Sequence, residues 1–203
     1  PTDRMFSKVH GDIVLHYTLY ENQKCLASLQ EEGNRKQSEY AIVYLQKLLQ
    51  ENHLKMSDFD EMVITIGPGS YTGVRVALTI AKTLNATMNI KIKTVSSLKA
   101  MAGMKKAISI LDARSKKVFL GIYNEGKTVV EDCIISLDEF ENYQKQYSDY
   151  EIVGDTELIG LSEKETDLAH NIYVLSTLEK EIENVDGLVP RYIKEVEAKK
   201  ICQ

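Results

Sequence analysis

The residues best placed to do chemistry stand in one run, Gly67-Pro68-Gly69-Ser70-Tyr71-Thr72-Gly73-Val74-Arg75. A glycine-rich turn between a strand and a helix offers two chemistries: backbone N–H groups that cradle a phosphate, or a serine raised as a nucleophile. Neither is completed. A P-loop needs a second glycine five residues after the first, followed by Lys and Ser/Thr. Five residues after Gly67 stands Thr72, and Gly73 is followed by Val74. A dinucleotide fingerprint needs glycines at relative positions one, three and six and an acid ending the next strand. Here the third glycine comes one residue late, and the next strand offers Lys91, Lys93 and Thr94. Ser70 lies in no Gly-Xaa-Ser-Xaa-Gly elbow, and the sequence supplies it with no histidine base. Capping of a helix by Ser70 or Thr72 is the better reading.

Other reactive side chains are dispersed. His10, His16, His53 and His170 form no i, i+4 pair, so structural or solvent roles are favoured over metal binding. Asp112 ends an apolar strand before Ala113-Arg114-Ser115, where a carboxylate meets a metal or pairs with Arg114. Without a second acid fixed by sequence, the pairing is favoured. Cys25, Cys133 and Cys202 are odd in number and far apart, which predicts reduced thiols without a disulfide framework or zinc site.

The elements that position these residues follow from periodicity. Met62–Ile66 is a short β-branched run, a buried strand broken at once by Gly-Pro-Gly. The helix after it extends to about Asn85, with Val74, Ala77, Leu78, Ala81 and Leu84 on the stripe that packs on a sheet. Gly73, Val76, Ile80, Thr83 and Thr87 lie opposite, an uncharged strip that predicts a partner surface. Upstream, Ile13–Tyr20 and Cys25–Leu29 predict a hairpin. A helix over Glu39–Asn52 buries Ala41, Tyr44, Leu45, Leu48 and Leu49 and leaves Tyr40 and Val43 outside. Ile90–Val95 reads as a strand, and Ser96 or Ser97 caps a short helix to Ala102.

A boundary near Gly103 divides the chain into residues 1–103 and 104–203. The second block starts with strands at Ala107–Leu111, Val118–Tyr123 and Val129–Ile135, then a helix Leu137–Tyr147 and a strand Glu151–Asp155. Residues 157–185 carry no motif. Leu188–Lys194 is extended and a charged tail follows. Both blocks begin with strands and continue into helix, as two related lobes would.

With 203 residues, 43% hydrophobic and 27% charged, the chain has an ordinary globular composition. A net charge of -5 argues against its gripping a polyanion alone. No run is apolar enough to span a bilayer and no signal-like start is present, so a cytoplasmic location is expected.

Taken together, Gly67–Arg75, Thr79-Ile80-Ala81-Lys82, Val95-Ser96-Ser97-Leu98, Leu111-Asp112-Ala113-Arg114, Leu188–Ile193 and Glu197-Ala198 resemble the TsaB (YeaZ) family, over roughly residues 16–198. These proteins are a scaffold subunit of the bacterial machinery that makes threonylcarbamoyladenosine beside the anticodon of tRNA. The resemblance implies an ASKHA (actin/Hsp70-like, RNase H-like) α/β fold of two lobes, the second reduced. It also implies no catalytic residues or cofactor of the chain's own, with metal and ATP or ADP at the catalytic partner TsaD or at the junction. TsaD would dock on the helices of the first lobe, TsaE would join, tRNA would be met only through the complex, and the free chain would form a homodimer. Two departures accompany it. The family's opening strand ends in Asp-Thr-Ser, which is missing near Val9-His10-Gly11, and its His-Ser-Glu before the first helix reads Gln37-Ser38-Glu39. Two other classes are weighed beside the scaffold: an ATP-using ASKHA enzyme or peptidase, and, less favoured, a dinucleotide-binding oxidoreductase.

Overall fold

Three antiparallel strands followed by helix-linked parallel strands build each half of the molecule. The computed structural model describes residues 4–10, 14–32, 37–162 and 166–193. β1 (Arg4–His10), β2 (Val14–Glu21) and β3 (Lys24–Glu32) form a meander. α1 (Gln37–Glu51) leads to β4 (Glu61–Thr65), parallel to β1, and α2 (Tyr71–Met88) leads to β5 (Lys91–Val95), parallel to β4. The first sheet therefore has the order β3-β2-β1-β4-β5.

After α3 (Ser97–Ala102) the plan repeats. β6 (Ala107–Arg114), β7 (Lys117–Asn124) and β8 (Lys127–Ser136) form the second meander, α4 (Leu137–Gln146) crosses over, and β9 (Glu151–Gly154) pairs parallel with β6. This sheet has the order β8-β7-β6-β9, one parallel strand short of the first. The result is the two-lobed ASKHA arrangement with a reduced second lobe.

Local chemistry accounts for these elements. Met62, Val63 and Ile64 are buried on both faces of β4, as a central parallel strand requires. The β2–β3 hairpin turns at Asn22 and Gln23 with φ of 47° and 71°, the left-handed pair that matches strand twist. Ser136 and Glu139 form a capping box at the start of α4.

Alternation along the strands sorts the core into layers. Met62 and Ile64 of β4, with Tyr17 and Ile92, meet Leu45, Leu48, Val74, Ala77 and Ala81 of α1 and α2 on one face. Val63 and Val95 on the other face meet Ile172 and Leu175 of α5 (Leu168–Ser176). α3 packs Leu98 and Ala102 against Ala107, Tyr123 and Val153 of the second sheet, whose far face is covered by Phe140 of α4.

Two features depart from the sequence reading. β1 is a strand that periodicity passed over. Residues 168–192 return to the first sheet, so the block drawn as 104–203 is divided in space. α1 and α2 cover only one face of that sheet, and α5 supplies the apolar stripe for the other. Tyr20 and Tyr173 stack there with ring centroids 4.4 Å apart. Gly11, Gly33-Asn34, Glu197-Ala198 and Cys202 lie outside the described residues.

Candidate functional site

α2 starts where the sequence places it. Ser70 is the N-cap, its Oγ accepting the Gly73 N–H at 3.3 Å, and Asn89 closes the helix in the left-handed conformation. The inner stripe is sheet-facing as expected, with Val74, Ala77, Leu78 and Ala81 buried and Leu84 half-buried.

The opposite strip divides in two. Thr83 and Thr87 are exposed and Val76 is half-buried, but Gly73 is buried and Ile80 is only 7% exposed. The expectation of an exposed stripe therefore fails at Gly73 and Ile80. Ile80 belongs to the cluster that α1 and α2 share, because residues facing a neighbouring helix along i, i+3, i+4 ridges are covered by it.

What remains open is a groove of about 580 Å³ between α1 and α2. Its lining comes from Ile42, Leu45, Gln46 and Leu49 of α1, Met56, and Val76, Thr79, Ile80, Thr83, Leu84 and Met88 of α2. Among the described residues, all of its lining comes from the first lobe. Ile42 is 48% exposed and Met88 42%, so two large apolar groups stand at its rims. Tyr40 and Val43 are exposed on α1 outside the lining.

The threonines of α2, Thr79 and Thr83 in the groove wall and Thr87 outside the lining, explain why this arc is uncharged yet not apolar in sequence. Thr79 Oγ1 donates to the Arg75 carbonyl at 2.9 Å, Thr83 to Thr79 at 2.9 Å and Thr87 to Thr83 at 2.7 Å. Each hydroxyl is consumed by its own helix, which leaves the γ-methyl as the group offered outward. A wall of methyls requires no polar match from a partner, while open methyls and the Ile42 and Met88 side chains gain by being covered. α1 is held in place below: the Tyr17 hydroxyl, buried under it, donates to the Ala41 carbonyl at 2.8 Å.

The other singled-out residues have local partners. Gly67 and Gly69 take φ of +102° and +147°, which side-chain-bearing residues avoid, and Pro68 sits between them. Tyr71 and Thr72 are exposed, and Arg75 Nη1 donates to the Tyr71 hydroxyl at 2.5 Å. Asp112 accepts the Arg114 N–H at 2.7 Å and pairs with its guanidinium at 3.3 Å, within a turn where Arg114, Ser115 and Lys116 all have positive φ. His16 Nε2 shares a 2.7 Å hydrogen bond with the Ser28 hydroxyl. Burial lowers its pKa, with Asp167 acting against the shift. Burial pushes the Cys25 and Cys133 thiols up. Among the described residues no three His, Cys, Asp or Glu side chains converge as metal ligands, and no helix is long and apolar enough to cross a membrane.

Sequence reasoning missed Ile42, Gln46, Met56, Thr79 and Met88. Ile42 falls between the buried and exposed arcs of α1, and only the position of α2 decides its role.

Fold and groove together define a two-lobed ASKHA-type α/β protein with an apolar groove between α1 and α2 of its first lobe. The chain belongs to the family described as "TsaD: tRNA N6-adenosine threonylcarbamoyltransferase", whose model matches residues 29–201, as a member of the TsaB (YeaZ) type. It is 28% identical to the tRNA threonylcarbamoyladenosine biosynthesis protein TsaB of Bacillus subtilis, over 78% of this chain and 80% of that one. Two solved structures share its fold. One, described as an uncharacterized protein with similarity to peptidase YEAZ from Pseudomonas aeruginosa, aligns with a TM-score of 0.73 at 16% identity, over 95% of this chain and 100% of that one. YeaZ from Pseudomonas aeruginosa aligns with a TM-score of 0.72 at 16% identity, over 94% and 100%.

Proposed function

We propose that this chain is a non-catalytic scaffold subunit in the formation of threonylcarbamoyladenosine in tRNA, and that it docks the TsaD threonylcarbamoyltransferase through the α1–α2 groove. The observation that carries the reading is the groove itself, an apolar concavity lined by α1, α2 and Met56 of the first lobe, with the threonine hydroxyls of its α2 wall bonded within their own helix. Family membership supports the pathway, as does the name of the Bacillus subtilis relative.

In this reading the catalytic metal and the nucleotide belong to the partner or to the junction, and TsaE joins the assembled pair. tRNA is engaged through the complex, in keeping with the net charge of -5. Without TsaD, the same groove pairs two copies of the chain, and the work takes place in the cytoplasm.

The test is reconstitution with purified proteins. TsaD is expected to be retained on the immobilised chain with and without ATP, and adding the chain is expected to raise modification of tRNA by TsaD. No retention under either condition, or ATP or peptide turnover by the chain alone, contradicts the proposal.

A further inference from the structure

Beyond the carboxyl ends of β4 and β5 the crevice between the lobes opens, the place where open α/β sheets ordinarily receive ligands. In this chain it is filled from within. The Arg191 N–H donates to the Ile66 carbonyl at 2.9 Å, in line past the end of β4. The Arg191 carbonyl lies so close to Gly67 that a Cβ there would sit 3.4 Å from it. Tyr192 stacks on Tyr71, ring centroids 5.6 Å apart. The space left around these groups is about 130 Å³, well under the roughly 300 Å³ at which ligand pockets begin.

The Arg191 side chain continues into the second lobe. Its Nη2 lies 2.7 Å from Glu131, and its Nη1 lies 3.3 Å from Asp132, whose side chain is 1% exposed. Asp132 also accepts the Ser96 hydroxyl at 2.5 Å and the Tyr123 hydroxyl. Ser96 caps α3 just past β5, while Tyr123 and Asp132 stand on β7 and β8. One buried carboxylate thus collects donors from the first lobe, the second lobe and the returning segment. A carboxylate so deeply buried is tolerated when a cation and hydrogen bonds compensate it, and Arg191 is the cation paired with it.

We infer that residues 188–193 are a built-in lock for this crevice. Arg191 occupies the crevice beyond β4, compensates Asp132, and holds both lobes and the Gly67–Tyr71 loop in one arrangement. The lock is a property of the isolated chain and does not rest on the docking reading.

A mutant cycle on the full chain tests it. Arg191→Ala leaves Asp132 buried without its cation, Asp132→Asn removes the charge, and the double variant removes both. Arg191→Ala is expected to lower Tm by about 5 °C, moderated by the partial exposure of the guanidinium. The double variant is expected to regain most of that loss, since coupled partners are not additive. Hydrogen exchange places the effect: in Arg191→Ala, amides in 66–71 and 188–193 exchange at least about tenfold faster while α1 is unchanged. If Arg191→Ala is not recovered folded, recovery of the double variant supports the lock and its failure contradicts it. Additive single losses, or wild-type amides of 188–193 exchanging without protection, overturn the inference.

Discussion

Ile42 and Ile80 line the same groove and predict opposite outcomes. Ile80 is 7% exposed in the shared core of α1 and α2, so Ile80→Glu buries an unpaired charge and costs about 3 kcal/mol or more of folding stability. Ile42 is 48% exposed. Ile42→Glu is expected to change the urea midpoint little and to remove association. Equal destabilisation by the two variants would show the groove floor misassigned. His16 gives a pH prediction. Its folded pKa is lowered by burial, so below about pH 6.5 the unfolded chain binds a proton that the folded chain refuses. Stability is therefore level above that pH and falls as the solution is acidified towards pH 5.5. His16→Gln should flatten the slope, and equal slopes in urea titrations of the two proteins would contradict the assignment.

Among the elements, α2 is the one most fully legible in the sequence. Its cap, its sheet-facing stripe and its uncharged outer arc are all local consequences of residue type and spacing. Ser70→Ala is expected to cost about 1 kcal/mol, read as a fall of a few degrees in Tm, because the Gly73 N–H loses its acceptor. Gly154 ends β9 with φ +96°, and a Cβ there would overlap the Ile110 carbonyl oxygen. Gly154→Ala is expected to destabilise the second lobe beyond the roughly 1 kcal/mol that strained backbone alone costs, with α1 and α2 keeping their exchange protection. What was not legible depends on distant packing. Nine-residue α5 is shorter than the window over which a helical period becomes distinct. Gly73 and Ile80 sit on the predicted outer arc of α2 but are covered by α1, and no local pattern states where a neighbouring helix will lie.

At the scale of the molecule, the lobe plan was readable because each half repeats one order of elements, strands first and helix after. The return of residues 168–192 to the first sheet was not, since it is set by which sheet face remains uncovered. The crevice beyond the carboxyl end of β4 is narrowed by Arg191 and its neighbours to about 130 Å³, whereas the α1–α2 groove stays open. In the proposed reading, ligand chemistry is displaced from the crevice that Arg191 fills, and the α1–α2 groove is the face that receives another subunit. The measurement closest to that claim is the dissociation constant of purified TsaD for the wild-type chain and for Ile42→Glu and Thr83→Arg, each first shown by its melting curve to be folded. Docking through the groove predicts a weakening of about 100-fold or more for both variants, some 2.7 kcal/mol. Folded variants that bind TsaD as tightly as the wild type would contradict it.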